Sequence, residues 1–144
     1  MLLPFTIQEI TSTINTSSKN KATGPLGISN EILKHLPSIA ISHLLDIFNA
    51  CIELEITPNQ WLKSNIWPIP KKSYYTHDLN TTRPITLIDH TRKIFTKMIT
   101  KRLTEILARN SVLSPYNFAA LPHQSTLQPI QHLTNIMEDA LTTK

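Results

Sequence analysis

IWPIPKKSYYTHDLNTTRPITLI, residues 66–88, decides how this chain is read. Two apolar, β-favouring runs, NIWPIPK at 65–71 and RPITLI at 83–88, flank a polar loop, the pattern of an antiparallel hairpin. Pro68 and Pro70 stand two apart and remove ladder donors along one side of the first run, which confines it to a sheet edge. Lys71 and Lys72 close the first run and Arg83 opens the second. A hairpin therefore gathers these cations at its loop end. There they can hold a polyphosphate, Arg through its planar fork and Lys as a point charge. The same groups would serve equally as the ordinary cations of a solvated hairpin tip.

Helical periodicity dominates the rest. Thr6 followed by Glu9 is a capping box, with Ile7, Ile10 and Ile14 at helical spacing behind it, predicting a helix over 7–17. KNKATGPLG reads as a loop punctuated by glycine and proline. Ser29 caps a helix over 30–36, and Ile41, Leu44, Leu45, Phe48, Cys51 and Ile52 form an apolar stripe on a helix over 38–54. A further helical turn after Pro58 carries Trp61. Asp89 is placed to N-cap a helix over 90–109, and a last helix over 126–141 presents Leu127, Ile130, Leu133, Ile136 and Met137. The expected fold class is α+β, mostly helical, with one small hairpin that must pack on helices because two strands alone are marginal.

The 144 residues are enough for one domain, and the formal charge is +4 with a pI near 9.3. Charge is concentrated. Between Arg83 and Arg109 seven Lys or Arg stand against two acids, Asp89 and Glu105. That excess suits an anionic partner, of which nucleic acid is the commonest, or one solvated helix face. Cys51 is the single cysteine, so no intrachain disulfide forms, and its apolar surroundings make it a core thiol. No run approaches a membrane span and the N-terminus lacks the basic start of a signal peptide, so the expected setting is intracellular, nucleus or cytoplasm, with no membrane partner. The two glycines, Gly24 and Gly27, share one loop, which excludes a Gly-rich phosphate cradle. The histidines lack metal-ligand spacing, and the adjacent Glu138 and Asp139 do not share a helix face.

Four blocks occur in a fixed order: KNKATGPLGIS, then W-x5-W-P-I-P-K-K, then R-P-I-T-L-I, then R-K-I-F-T-K-M-I-T-K-R-L. Together they resemble the front part of a reverse transcriptase of the non-LTR (LINE-type) retrotransposons. The family's strings are K-x-x-G-P-D-G-I, I-P-K, Y-R-P-I-S-L and K-I-x-x-K-x-x-x-x-R-L, and the likeness runs with gaps from about residue 7 to residue 141. It implies that residues 1–144 are a partial reverse transcriptase domain, the fingers and the start of the palm, without the catalytic palm and thumb.

The parent activity so implied is RNA-directed DNA synthesis on a template-primer with deoxynucleotides and Mg2+. The family's catalytic aspartates lie in F-x-D-x-x-K-A-F-D and Y-A-D-D, and neither string occurs here, so the resemblance implies an inactive chain with no catalytic residues, metal ligands or cofactor of its own. By the same resemblance Lys71, with Lys72 as a stand-in, and Arg83 contact the nucleotide triphosphate. Lys19 and Lys21 lie near template, and Arg92, Lys93, Lys97, Lys101 and Arg102 touch nucleic-acid backbone. Leu26 replaces the family's Asp in a turn that Asp suits better. The alternative function is a non-catalytic basic helical module that binds nucleic-acid backbone or a protein partner.

Overall fold

The computed structural model describes residues 3–71, 78–114, 116–119 and 125–142. Its elements run α1 (Ile7–Asn15), α2 (Asn30–Lys34), α3 (Ser38–Glu53), a 3-10 turn (Asn59–Leu62), β1 (Asn65–Pro70), a second 3-10 turn (Leu79–Thr81), β2 (Thr82–Leu87), α4 (His90–Arg109) and α5 (Leu127–Thr142). This is mostly helical with one two-stranded antiparallel sheet, the α+β class the periodicities predict. Tertiary contacts divide the chain into two compact units, Met1–Met98 and Ile99–Lys144.

The core lies in the first unit and is organised by aromatic rings. The Thr6–Glu9 capping box starts α1: the Thr6 hydroxyl accepts the Glu9 N–H and the Glu9 carboxylate accepts the Thr6 N–H at 2.8 Å. The helix turns Ile10 and Ile14 inward. The aromatic part of the core is supplied by α3 with Phe48, the first 3-10 turn with Trp61, and α4 with Phe95. Phe95 is the hub, its ring centroid 5.2 Å from Phe48, 5.3 Å from Trp61 and 6.2 Å from Phe5. Such ring pairs contribute roughly 0.5–1.5 kcal/mol beyond the area they bury. Two polar clamps fix the arrangement. Asn49 accepts the Phe5 N–H at 2.6 Å and donates to the Phe5 carbonyl at 3.2 Å, while Arg92 Nη1 donates to the Trp61 carbonyl at 2.6 Å. Cys51 is buried beside Phe48 in sequence register, and burial pushes its thiol pKa up, so it stays a protonated core group.

The Gly24–Gly27 turn packs against the junction between β2 and α4. The Gly27 N–H donates to the Gly24 carbonyl at 3.1 Å, with Pro25 at the position whose φ it presets. Leu26 keeps a negative φ, so the turn asks nothing of it that a β-carbon forbids, and its N–H donates to Asp89 Oδ1 at 2.9 Å. The turn therefore places no left-handed demand on leucine. Asp89 departs from its expected role in the same contact. Its backbone carbonyl accepts the Lys93 N–H at 3.0 Å as an N-cap's does, but its buried carboxylate serves the turn instead of capping α4, and Oδ2 has no hydrogen-bond partner.

The strands pair from Asn65 opposite Leu87 to Pro70 opposite Thr82. The Lys71 N–H donates to the Thr81 carbonyl at 2.8 Å, so 71 opposite 81 is a hydrogen-bonded pair. Alternation along the ladder then makes Pro68 opposite Pro84, and Pro70 opposite Thr82, non-bonded pairs. Every strand proline stands where the N–H would point away from the partner, so no ladder bond is lost and both outer edges are blunted. Among the twelve strand residues Thr82 alone is buried. Among the described residues the hairpin is thus mostly exposed, with only Thr82 covered. Order comes from the ladder and from the turn before β2, where Asp78 Oδ1 accepts the Asn80 N–H and the Thr82 hydroxyl donates to the Leu79 carbonyl.

In the second unit α5 begins at Leu127 and tolerates Pro129 because the first turn's N–H groups need no helical partner. Its apolar stripe is bare: Leu127, Ile130, Leu133, Ile136 and Met137 are all exposed. No helix among the described residues is long and apolar enough to cross a membrane.

Candidate nucleic-acid interface

Among the described residues of the first unit two cationic features stand out. One is the loop end of the hairpin. Arg83 stands opposite Ile69, and Lys71 lies two residues beyond Ile69, so Lys71 and Arg83 fall on one side of the pleat. Both are exposed. Lys71 Nζ donates to the Asn80 carbonyl at 2.9 Å, which ties it to the base of the loop. Trp67, Ile69 and Ile85 share that face and are exposed with it. Lys72 lies outside the described residues.

The second is a pocket of about 230 Å3. The loop after α1 forms one wall with Thr16, Ser17, Ser18 and Lys21, the first residue of α2 adds Asn30, and α4 supplies the opposite wall with His90, Lys93, Ile94 and Lys97. Sequence reasoning put Lys21 with the template loop and Lys93 and Lys97 with the helix cations; the fold brings the three around one hollow. It missed the polar groups between them, because hydroxyls and an amide 60 to 80 positions from Lys93 carry no local signal.

This loop is held from behind. Asn30 Nδ2 donates to the Ser18 carbonyl at 2.7 Å, Lys34 Nζ to the Ser17 carbonyl at 2.6 Å, and the Asn20 N–H to Glu31 Oε1 at 2.6 Å. That last bond is the main reason the Glu31 carboxyl lies below its ordinary pKa. It also explains why Asn20 sits at φ 55°, a left-handed conformation that asparagine tolerates. Across the pocket Lys97 Nζ donates to Thr16 Oγ1 at 3.1 Å, and the buried His90 ring meets the Ala22 carbonyl through Nε2 at 3.0 Å.

The remaining predicted cations are scattered. Lys19 is exposed on the loop outside the pocket lining. Arg92 is half-buried and spends one N–H on the Trp61 carbonyl. Lys101 and Arg102 belong to the second unit, Lys101 exposed and Arg102 half-buried. Among the described residues no group of three or more His, Cys, Asp or Glu side chains is arranged to hold a metal ion.

No protein-family model matches the chain. Among curated proteins it is similar to the probable RNA-directed DNA polymerase from transposon X-element of Drosophila melanogaster, 30% identical over 98% of the chain. It is likewise similar to the probable RNA-directed DNA polymerase from transposon BS of the same fly, 28% identical over 98% of the chain. The RNA-directed DNA polymerase from mobile element jockey is 24% identical over the whole chain. The chain spans only 15% to 16% of the length of these relatives. Over nearly its full length, then, the chain is a relative of a segment of the RNA-directed DNA polymerases of non-LTR transposons.

Proposed function

We propose that residues 1–144 form the fingers and palm entry of such a polymerase, the part that receives template-primer and incoming nucleotide, and that the chain alone performs no synthesis. The observation that carries this reading is the hairpin: exposed on both faces, it presents Lys71 and Arg83 side by side at its loop end. Separated cations on one face can engage successive phosphates of a deoxynucleoside triphosphate, Arg83 through paired N–H groups and Lys71 by releasing the Asn80 carbonyl. Lys72, outside the described residues, shares the proposed triphosphate role. Lys19, Lys21, Lys93, Lys97 and Lys101, with Arg92 and Arg102, supply the charge that meets nucleic-acid backbone. This work belongs inside the cell, in nucleus or cytoplasm.

The residues present do not fit a catalytic Mg2+ ion. Two-metal chemistry needs converging carboxylates. Glu138 and Asp139 are adjacent on α5, about 100° apart around the helix, and both are exposed. Among the described residues no carboxylate set is arranged for a metal-assisted step.

The test is a titration of the chain with a deoxynucleoside triphosphate, read by backbone amide shifts. Saturable shifts at Lys71, Thr82 and Arg83 that vanish in Arg83→Gln are expected. Shifts that ignore that substitution, or none at the hairpin at millimolar nucleotide, refute the assignment. A basic module that binds polynucleotide without any nucleotide role would leave the hairpin silent and still bind a primed template.

A further inference from the structure

The pocket between the α1–α2 loop and α4 is a built seat for one phosphate group, we infer, separate from the hairpin. The chemistry lies in its lining. Lys21, Lys93 and Lys97 reach it from parts of the chain some 70 residues apart, and among the described residues no carboxylate lies within ion-pair distance of any of them. Three like charges around one polar hollow repel each other, and an anion in the hollow reverses the sign of that energy. Two acids touch the α1–α2 loop, Glu31 and Asp89; neither is part of the lining, Glu31 being engaged by the Asn20 N–H and Asp89 by the Leu26 N–H.

Donor capacity points the same way. Ser17 and Thr16 spend their hydroxyl protons on carbonyls of α1, and Asn30 spends an N–H on Ser18. The Ser18 hydroxyl and the Lys21 and Lys93 ammonium groups have no protein acceptor among the described residues, and Lys97 keeps two N–H groups beyond the one given to Thr16. Unspent donors of this kind match the several acceptor oxygens of a phosphate. The seat is also organised before binding. Three hydrogen bonds from α2 fix the loop, and Thr16 fixes Lys97, so little ordering is left to oppose binding.

Size narrows the ligand. At about 230 Å3 the pocket is smaller than the roughly 300–1,000 Å3 of sites for drug-sized molecules. It is large enough for a phosphate with its waters. The phosphate can be a backbone or terminal phosphate of a polynucleotide or a free phosphate compound. Because the same lysines carry the backbone-binding reading, the inference rests on that reading for the polynucleotide source alone.

The experiment titrates the full chain with inorganic phosphate against sodium chloride at matched ionic strength, following the amide signals of Ser18, Lys21, Asn30 and Lys93. Saturable shifts at these positions are expected. Lys21→Gln and Lys93→Gln, both at exposed positions that leave the core untouched, should each weaken phosphate binding about tenfold, the loss of one charge-assisted hydrogen bond. Lys63→Gln, outside the lining, should change nothing. Unsaturable drift, or equal binding in all four proteins, overturns the seat. A single-stranded DNA 12-mer supplies the second arm. If it competes with phosphate at these amides, the source is a polynucleotide. If the 12-mer binds the chain while phosphate moves nothing in the pocket, the seat is wrong and the backbone reading stands. If phosphate saturates the pocket and the 12-mer never competes, the seat stands and its ligand is a free phosphate.

Discussion

Replacing Gly24 by alanine should unlock the junction on which both the pocket and the aromatic core depend. A β-carbon at that position would stand 2.4 Å from the Asp89 backbone nitrogen, 2.5 Å from the Ile88 carbonyl carbon and 2.7 Å from Asp89 Oδ1. Two of these three atoms are backbone, so no rotamer change relieves the clash. The turn must withdraw by about an ångström, to reach ordinary contact distance. That withdrawal stretches the 2.9 Å bond from the Leu26 N–H to Asp89 Oδ1 beyond reach. Overpacking of this kind costs roughly 1–3 kcal/mol. Stripping a buried carboxylate of its N–H costs about 1–3 kcal/mol more, and here Oδ2 has no partner to compensate. The two terms overlap, because moving the turn relieves one as it creates the other, so we expect about 3 kcal/mol.

Gly27 provides the internal comparison. It has φ +70° but open space around a would-be β-carbon, so Gly27→Ala bears only the left-handed penalty of about 1–2 kcal/mol. Urea unfolding followed by Trp61 fluorescence reads the difference, since Trp61 is buried in the core and Trp67 is already exposed and contributes a steady background. Asp89→Ala then closes a double-mutant cycle. If the hydrogen bond carries part of the cost, Gly24→Ala should cost at least 1 kcal/mol less in the Asp89→Ala background. A Gly24→Ala cost equal to or below that of Gly27→Ala would refute the close-approach argument. Full additivity with Asp89→Ala would remove the hydrogen-bond share of it.

Four further outcomes are expected. Phe95→Ala should cost about 3–5 kcal/mol by urea unfolding, because it empties the centre of a four-ring cluster. Salt titration of oligonucleotide binding should give a linear log–log slope of roughly −0.7 to −0.9 per phosphate neutralised, and the combined change of Lys93, Lys97 and Lys101 to Gln should make it shallower by up to about 2–3 units; an unchanged slope removes these lysines from the interface. The Glu31 carboxyl is lowered chiefly by the Asn20 N–H, so its contribution is fully present above the ordinary value of 4.5 and is lost as pH falls through the lower folded value; the protection factor of the Asn20 amide, its exchange relative to the free-chain rate at each pH, should fall as pH drops below the ordinary value, and a factor that persists to full protonation would show the bond does not hold the loop. Purified chain with primed template, deoxynucleotides and Mg2+ should extend no primer, and template-dependent extension would overturn the proposal that synthesis needs residues this chain lacks.

Local grammar carried the elements. The α4 span coincides with the 90–109 periodicity, α1 and α3 lie inside their expected spans, and the β2 span is shifted by one residue from the expected 83–88. Each of these is set by signals within a few residues: a capping box, an apolar stripe, a proline alternation. Where the reading failed, the deciding partner was distant in sequence. Asp89 looked like an N-cap because serine-like capping is a local rule, yet its carboxylate is claimed by Leu26, 63 residues earlier. Leu26 looked like a poor turn residue because turn statistics average over conformations, yet this turn keeps it at negative φ.

The same distinction explains the candidate site. The hairpin cations were legible because one short loop brings Lys71 to Arg83, and pleat parity alone puts them on one side. Pocket cations were legible as charge but not as a site, since Lys21 meets Lys93 only after Phe48 of α3 and Phe95 of α4 have packed together and the Gly24–Gly27 turn has docked on Asp89. The position of Lys21 therefore depends on the docking of Gly24 and Leu26 against Asp89 as well as on the hydrogen bonds from α2. A substitution at Gly24 should then act on phosphate affinity as well as on stability, although Gly24 lines no part of the pocket. Gly27→Ala, which disturbs no packed surface, should leave that affinity alone. Measured together, the two alanine variants separate the docking of the loop from its charge, and only docking can move affinity without removing a lysine.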